Sequence, residues 1–120
     1  MARRVLVVED DEGLRETLAA ILEFEGYDVR QAQHGLEALA QLEAAPADVV
    51  VLDLMMPLMD GYRFTEELIA RGMRGDVALL VLTADGRAAE KGARLGAEAA
   101  LAKPFELREL LELVSTLERG

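Results

Sequence analysis

The stretch Val49-Val50-Val51-Leu52-Asp53-Leu54-Met55-Met56-Pro57 decides the fold: it is an apolar run broken by one carboxylate and stopped by a proline. Four aliphatic residues in succession, preceded by Pro46 and Asp48, predict a strand buried on both faces, the kind a parallel sheet makes. Asp53 then stands at the carboxyl end of that strand. In open α/β sheets the ligand crevice lies outside the carboxyl ends of the strands, so an acid there faces a site and not the core. Read alone, Asp53 could equally open the next loop, because Asp commonly starts turns. The flanking segments decide between the two.

Upstream, Arg3-Arg4-Val5-Leu6-Val7-Val8 is a second short β-branched run, and it ends in Glu9-Asp10-Asp11. Leu14, Leu18, Ile21, Leu22 and the ring of Phe24 or Tyr27 follow at helical spacing, with Arg15, Glu16 and Glu23 on the other face and Gly26 closing the helix. Tyr27 to Ala32 alternates apolar and polar residues as an edge strand does. Gly35 opens an amphipathic helix over Leu36–Glu43, which Ala44-Ala45-Pro46 ends. His34, the single histidine, reads as a solvated loop residue, since there is no cysteine or second histidine to complete a metal set with it.

Downstream, Pro57 to Gly61 is a turn in which Asp60-Gly61 supplies an Asx cap or a positive φ. A third helix runs from Tyr62 to Arg71, with Phe64, Leu68 and Ile69 inward and Gly72 at its end. Met55, Met56 and Met59 read as core and loop packing, because a soft-metal site would need a thiolate or imidazole beside them. Val77–Leu82 is a fourth strand that delivers Thr83. Gly86 to Gly96 holds three glycines and few large apolar groups, so a helix there is intrinsically weak and is expected to be the mobile part. Ala99–Ala102 forms a fifth strand ending in Lys103-Pro104-Phe105, and Leu107, Leu110, Leu111, Val114 and Leu117 mark a last amphipathic helix. Strict alternation of strand and helix, with connections too short for hairpins, implies a doubly wound α/β sandwich: a five-stranded parallel sheet with right-handed crossovers. An eightfold barrel would need about twice the length.

The chain's 120 residues fit one domain, 1–120, and 52% apolar content suffices for its core. The absence of cysteine excludes disulfides and thiolate metal sites and agrees with a cytoplasmic location. Strand-like residues begin by Arg4-Val5, which leaves no room for a signal peptide, and no apolar run approaches the roughly 18 residues of a membrane span. A net charge of -10 argues against direct nucleic-acid binding by this segment, and 4% aromatics offer no platform for stacking bases.

Polar groups that a buried sheet has no structural use for now occupy four strand ends: Glu9 and Asp10, Asp53, Thr83 and Lys103. Acids brought into contact repel, and a cation is the usual compensation. Hard oxygen ligands without imidazole or thiolate favour Mg²⁺. A carboxylate nucleophile, a metal, an ammonium and a hydroxyl together suit phosphoryl transfer through an aspartyl phosphate. With no Gly-rich phosphate loop ending in Lys-Ser/Thr, a nucleotide is not the obvious donor.

These residues, in this order, resemble a bacterial two-component response-regulator receiver domain over the whole chain: Glu9-Asp10 after strand one, Asp53 in Asp53-Leu54-Met55-Met56-Pro57-Leu58-Met59-Asp60-Gly61, Thr83-Ala84 after strand four, and Lys103-Pro104-Phe105. The resemblance implies a flavodoxin-like (βα)5 fold with strand order 2-1-3-4-5. It implies that Asp53 accepts a phosphoryl group from a histidine kinase or phosphotransfer protein with the help of Thr83 and Lys103. It further implies that Mg²⁺ is held by Asp10, Asp53 and the Met55 carbonyl, with Glu9 acting through water, and that Lys103-Pro104 is cis. Asp11 falls outside the matched pair and reads as a loop or helix-start acid. The expected output is a change in the surface formed by helix four, strand five and helix five, through which a homodimer could also form. Met55 and Asp85, two beyond the phosphoacceptor and two beyond the threonine, are expected to tune hydrolysis, Met55 by shielding and Asp85 by orienting a water.

Two other readings compete. A metal-dependent phosphatase with an aspartyl phosphate intermediate would carry its nucleophile, and a second Asp two residues on, after strand one. A flavin domain of the same class would need a phosphate loop and stacking aromatics that this chain lacks. One departure from the receiver pattern is clear. The position three before the strand-five lysine, commonly Tyr or Phe in that family, is Ala100, so no aromatic rotamer can carry the signal there, and the segment from Thr83 to Lys103 is shorter than usual.

Overall fold

The computed structural model describes residues 3–56, 58–84 and 87–119, and the turn at Pro57 and the role expected of Asp85 lie outside the described residues. Five parallel strands form one sheet: β1 Arg4–Val8, β2 Asp28–Ala32, β3 Val49–Asp53, β4 Ala78–Thr83 and β5 Ala99–Ala102, in the order β2-β1-β3-β4-β5. Between and after them lie α1 Glu12–Phe24, α2 Gly35–Ala44, α3 Gly61–Ala70, α4 Ala88–Leu95 and α5 Leu107–Arg119, with a 3-10 turn at Arg74–Asp76. The sheet order and the alternation are those expected of a doubly wound, flavodoxin-like fold.

Successive side chains of a strand point to opposite faces, and both faces here are covered. Leu6, Val8, Val50, Leu52, Leu79 and Val81 pack with Ala38, Leu39 and Leu42 of α2 and Phe64 and Leu68 of α3. Val5, Val7, Val49, Val51, Leu80 and Leu82 pack on the other side with Leu18 and Leu22 of α1 and Leu110 and Val114 of α5. Every residue of β3 is buried, Asp53 included, because β3 is the central strand of the sheet. Among the described residues no helix is long and apolar enough to cross a membrane.

Three local expectations change, and the choice between Phe24 and Tyr27 is decided. Ile69 is 62% exposed: Phe64 and Leu68 fill the inner face of α3, and the position next to Leu68 turns outward. Phe24 is 89% exposed, and Tyr27 is the ring that packs against the core. His34 is no bystander of a loop, since its Nδ1 accepts from the Glu37 N–H at 3.2 Å and caps α2. Arg15 is buried instead of lying on the solvent face of α1.

The Asp60-Gly61 pair resolves to one of its two readings. Asp60 caps α3, its Oδ1 accepting from the Arg63 N–H at 2.9 Å. Positive φ falls on Leu58, at 69°, not on Gly61. What Gly61 provides is closeness: a Cβ there would lie 2.5 Å from Leu54 Cδ2 and 3.0 Å from Leu54 Cα.

Candidate functional site

Strand register brings the polar ends together. Val8 of β1 pairs with Leu52 of β3, so the next residues, Glu9 and Asp53, emerge side by side. Asp53 pairs with Leu82 of β4, which puts Thr83 one step beyond it. Thr83 pairs with Ala102 of β5, and the Lys103 N–H donates to the Thr83 carbonyl at 2.7 Å, so Lys103 begins where the ladder ends. All four groups therefore face one crevice at the carboxyl edge of the sheet, where this class of fold binds its ligands.

Lys103 Nζ lies 3.0 Å from Glu9 Oε1 and 3.6 Å from Asp53 Oδ2. Glu9 Oε2 accepts from the Asp11 N–H at 3.2 Å, and Asp53 Oδ1 accepts from the Met55 N–H at 3.2 Å. Glu9, Asp53 and Thr83 are buried, whereas Asp10 is exposed at the mouth. Asp11 stands outside this group as the N-cap of α1, accepting from the Leu14 N–H at 3.0 Å. Met55 has its side chain at the surface, 67% exposed, while Met56 is buried and Met59 packs against the core. The Lys103-Pro104 peptide is cis.

One ammonium faces two buried carboxylates, and the electrostatics reflect the imbalance. Burial pushes the Glu9 carboxyl up to about 7, and Asp53 adds to the rise, although the Lys103 ammonium and the Asp11 N–H oppose it. Partial burial works against the Lys103 charge, but Glu9 and Asp53 outweigh it and hold its pKa above the ordinary lysine value. Carboxylate oxygens of Glu9, Asp10 and Asp53 come within 4.8 Å of one another. A crowded set of hard oxygens with no imidazole or thiolate suits Mg²⁺.

Residues 5–115 match the family described as the response regulator receiver domain. The chain belongs to that family. This receiver is 44% identical over 121 residues to the response regulator MprA of Mycobacterium tuberculosis, a match that covers 99% of this chain and 52% of that protein. The chain thus spans about half the length of the curated relatives it matches. Among solved structures, a putative response regulator from Chloroflexus aurantiacus is 33% identical with a TM-score of 0.91 and full coverage of both chains. The chemotaxis response regulator CheY4 of Vibrio cholerae is 31% identical with a TM-score of 0.89, over 98% of this receiver and 99% of that chain. TrrA of Thermotoga maritima, solved in complex with Mg²⁺-BeF, is 33% identical with a TM-score of 0.84, over 96% of this receiver and 98% of that chain.

The receiver is a signalling switch of two-component systems. Burial of Arg15 against the acidic turn is the feature of the site that helical periodicity missed. Its one signal in the sequence is a basic residue one position after Leu14, in the first turns after an acidic run, which by itself is common on exposed helices.

Proposed function

We propose that residues 1–120 form one receiver domain whose Asp53 takes a phosphoryl group from a histidine kinase or phosphotransfer protein in the cytoplasm. The observation that carries this reading is Asp53 itself: a carboxylate 4% exposed at the end of the central strand, with the Lys103 ammonium 3.6 Å away. An Asp53 oxygen attacks phosphorus, the P–O bond forms as the P–N bond of the donor phosphohistidine breaks, and the imidazole departs and is reprotonated from solvent. Lys103 offsets charge on the phosphoryl oxygens, and the Thr83 hydroxyl, one residue beyond the Asp53 pairing partner, donates to one of them. Asp53, Asp10 and the Met55 carbonyl would hold Mg²⁺ directly, with Glu9 acting through water. The ion would supply positive charge against the carboxylates and the transferring oxygens.

The phosphatase alternative has no support in this arrangement, because the acids after β1 are contiguous and the best-placed acceptor lies on β3. Phosphorylation would change the surface of α4, β5 and α5. A homodimer would form through this face, where α4 carries Lys91 and Arg94 beside Glu90 and α5 carries Glu109 and Glu112 beside Arg108.

Acetyl phosphate with Mg²⁺ tests the assignment. Wild type should gain the mass of one phosphoryl group and Asp53→Asn none. A normal mass gain in Asp53→Asn would overturn Asp53 as the acceptor, and a normal gain without divalent metal would overturn the Mg²⁺ requirement.

A further inference from the structure

Arg15 is 7% exposed, and burying a guanidinium is costly unless its donors are used. Its Nη1 donates to the Glu9 carbonyl at 3.0 Å, and its Nε donates to Gln31 Oε1 at 3.2 Å. Gln31 is anchored in turn, since its carbonyl accepts from Gln41 Nε2 at 2.6 Å. The guanidinium therefore ties the end of β1 to β2 and, through Gln31, to α2.

The bond to Glu9 falls at a decisive place. Glu9 is held at its N–H by the Ala32 carbonyl at 3.1 Å and at its carboxylate by the Asp11 N–H and Lys103. Arg15 acts on the Glu9 carbonyl, the half of the peptide unit that leads directly into Asp10. Holding that oxygen fixes the plane from which the Asp10 side chain departs. We infer that Arg15 is a positioning residue: without touching the ion, it orients the Glu9-Asp10 peptide so that both acids converge with Asp53 on one cation, and its permanent charge offsets their mutual repulsion. A lysine could not do the same, because a single ammonium lacks the planar fork that meets a carbonyl just past one strand and an amide on another.

The inference rests on the Mg²⁺ reading above, and direct titration separates the two. Mg²⁺ affinity would be measured from amide chemical shifts for wild type, Arg15→Met, Arg15→Lys, Gln31→Leu and Val114→Ala. Val114 is buried on the α5 side of the sheet and serves as a variant destabilised away from the site. Arg15→Met should bind Mg²⁺ on the order of tenfold more weakly, as expected when a partner that orients ligands is lost. Arg15→Lys and Gln31→Leu should lie between, and Val114→Ala should match wild type despite a lower melting temperature. Binding by Arg15→Met within about twofold of wild type would overturn the role of Arg15 while leaving the metal site intact. An equal loss in Val114→Ala would also overturn it, by showing general loosening. Should Arg15→Met fail to fold, unchanged affinity in both Arg15→Lys and Gln31→Leu overturns it. No binding by wild type would overturn the Mg²⁺ reading and this inference together.

Discussion

Gly92 of α4 and Ala100 of β5 meet so closely that a Cβ placed on Gly92 would lie 2.7 Å from the Ala100 Cβ. Ala100 is also the position where an aromatic switch is common in receivers, so the contact replaces a movable ring with two small residues in direct apposition. Because the Ala100 methyl cannot rotate out of the way, Gly92→Ala should push α4 outward. An unhindered Gly→Ala change inside a helix stabilises by about 1 kcal/mol. Here overpacking should reverse the sign and cost about 1–2 kcal/mol. Adding Ala100→Gly should recover much of that loss, and chemical denaturation of the four proteins in the cycle measures it. Stabilisation by Gly92→Ala alone would show that the approach is soft.

The same contact is expected to direct the output. With no ring to bury at Ala100, a change at Thr83 is expected to pass through the loop after β4 into α4, a helix of 8 residues with Gly92 in its interior. Hydrogen exchange on phosphorylation should change most between Arg87 and Gly96. A response confined to α1 or α2 would place the route elsewhere.

Carboxylate oxygens of Glu9, Asp10 and Asp53 lie within 4.8 Å of one another, and their repulsion is expected to cost stability in the metal-free fold. Asp10→Ala should therefore raise metal-free stability by about 1 kcal/mol, the scale of two unit charges about 4 Å apart in water. It should also abolish most of the stabilisation that Mg²⁺ gives wild type. Melting curves with and without Mg²⁺ decide this, and a lower metal-free melting temperature would count against it.

Met55 is expected to bear on the lifetime of the proposed aspartyl phosphate. Its N–H is bonded to Asp53 Oδ1, and its apolar side chain follows the acceptor by two residues at the protein surface. A polar side chain there could order a water for attack on phosphorus, so Met55→Asn should dephosphorylate several-fold faster, on the scale of positioned general-base assistance or below. Decay no faster than wild type, followed by loss of the phosphorylated mass, would refute the shielding role.

At the opposite edge of the sheet, Asp48 accepts from the Arg4 N–H at 2.8 Å and from Arg4 Nη2 at 3.2 Å. The Arg4 side chain holds the Asp48 carboxyl below its ordinary 3.8. A depressed folded-state pKa contributes stability above the unfolded value, and that contribution is lost as pH falls through the folded value. Urea midpoints of wild type and Asp48→Asn should thus differ in favour of wild type at pH 6 and converge as the pH falls below the ordinary aspartate range. A gap that widens in acid would contradict the pairing.

The layer architecture and the meeting of polar groups at the strand ends are both legible in the sequence alone. Continuous aliphatic runs such as Val49–Leu52 bury only as strands covered on both faces, and polar residues that end such runs must emerge at the carboxyl edge. Glu9, Asp10, Asp53, Thr83 and Lys103 were legible for that reason. Periodicity, however, reports which residues share a face of their own element and says nothing of the groups another element presents to them. Ile69 was misplaced because α3 had apolar residues to spare and the width of the neighbouring face chose among them, and between Phe24 and Tyr27 the packing chose Tyr27. His34 became a cap because the chain enters α2 extended at that residue, leaving its Nδ1 beside the Glu37 N–H. Arg15 and Gly92 are the deeper cases. The partners of Arg15 lie apart in the chain, the Glu9 carbonyl just past the end of β1 and Gln31 on β2, and Gly92 faces a methyl on β5. Only the packed sheet, whose register sets those atoms within a few ångströms of each other, decides contacts of that kind.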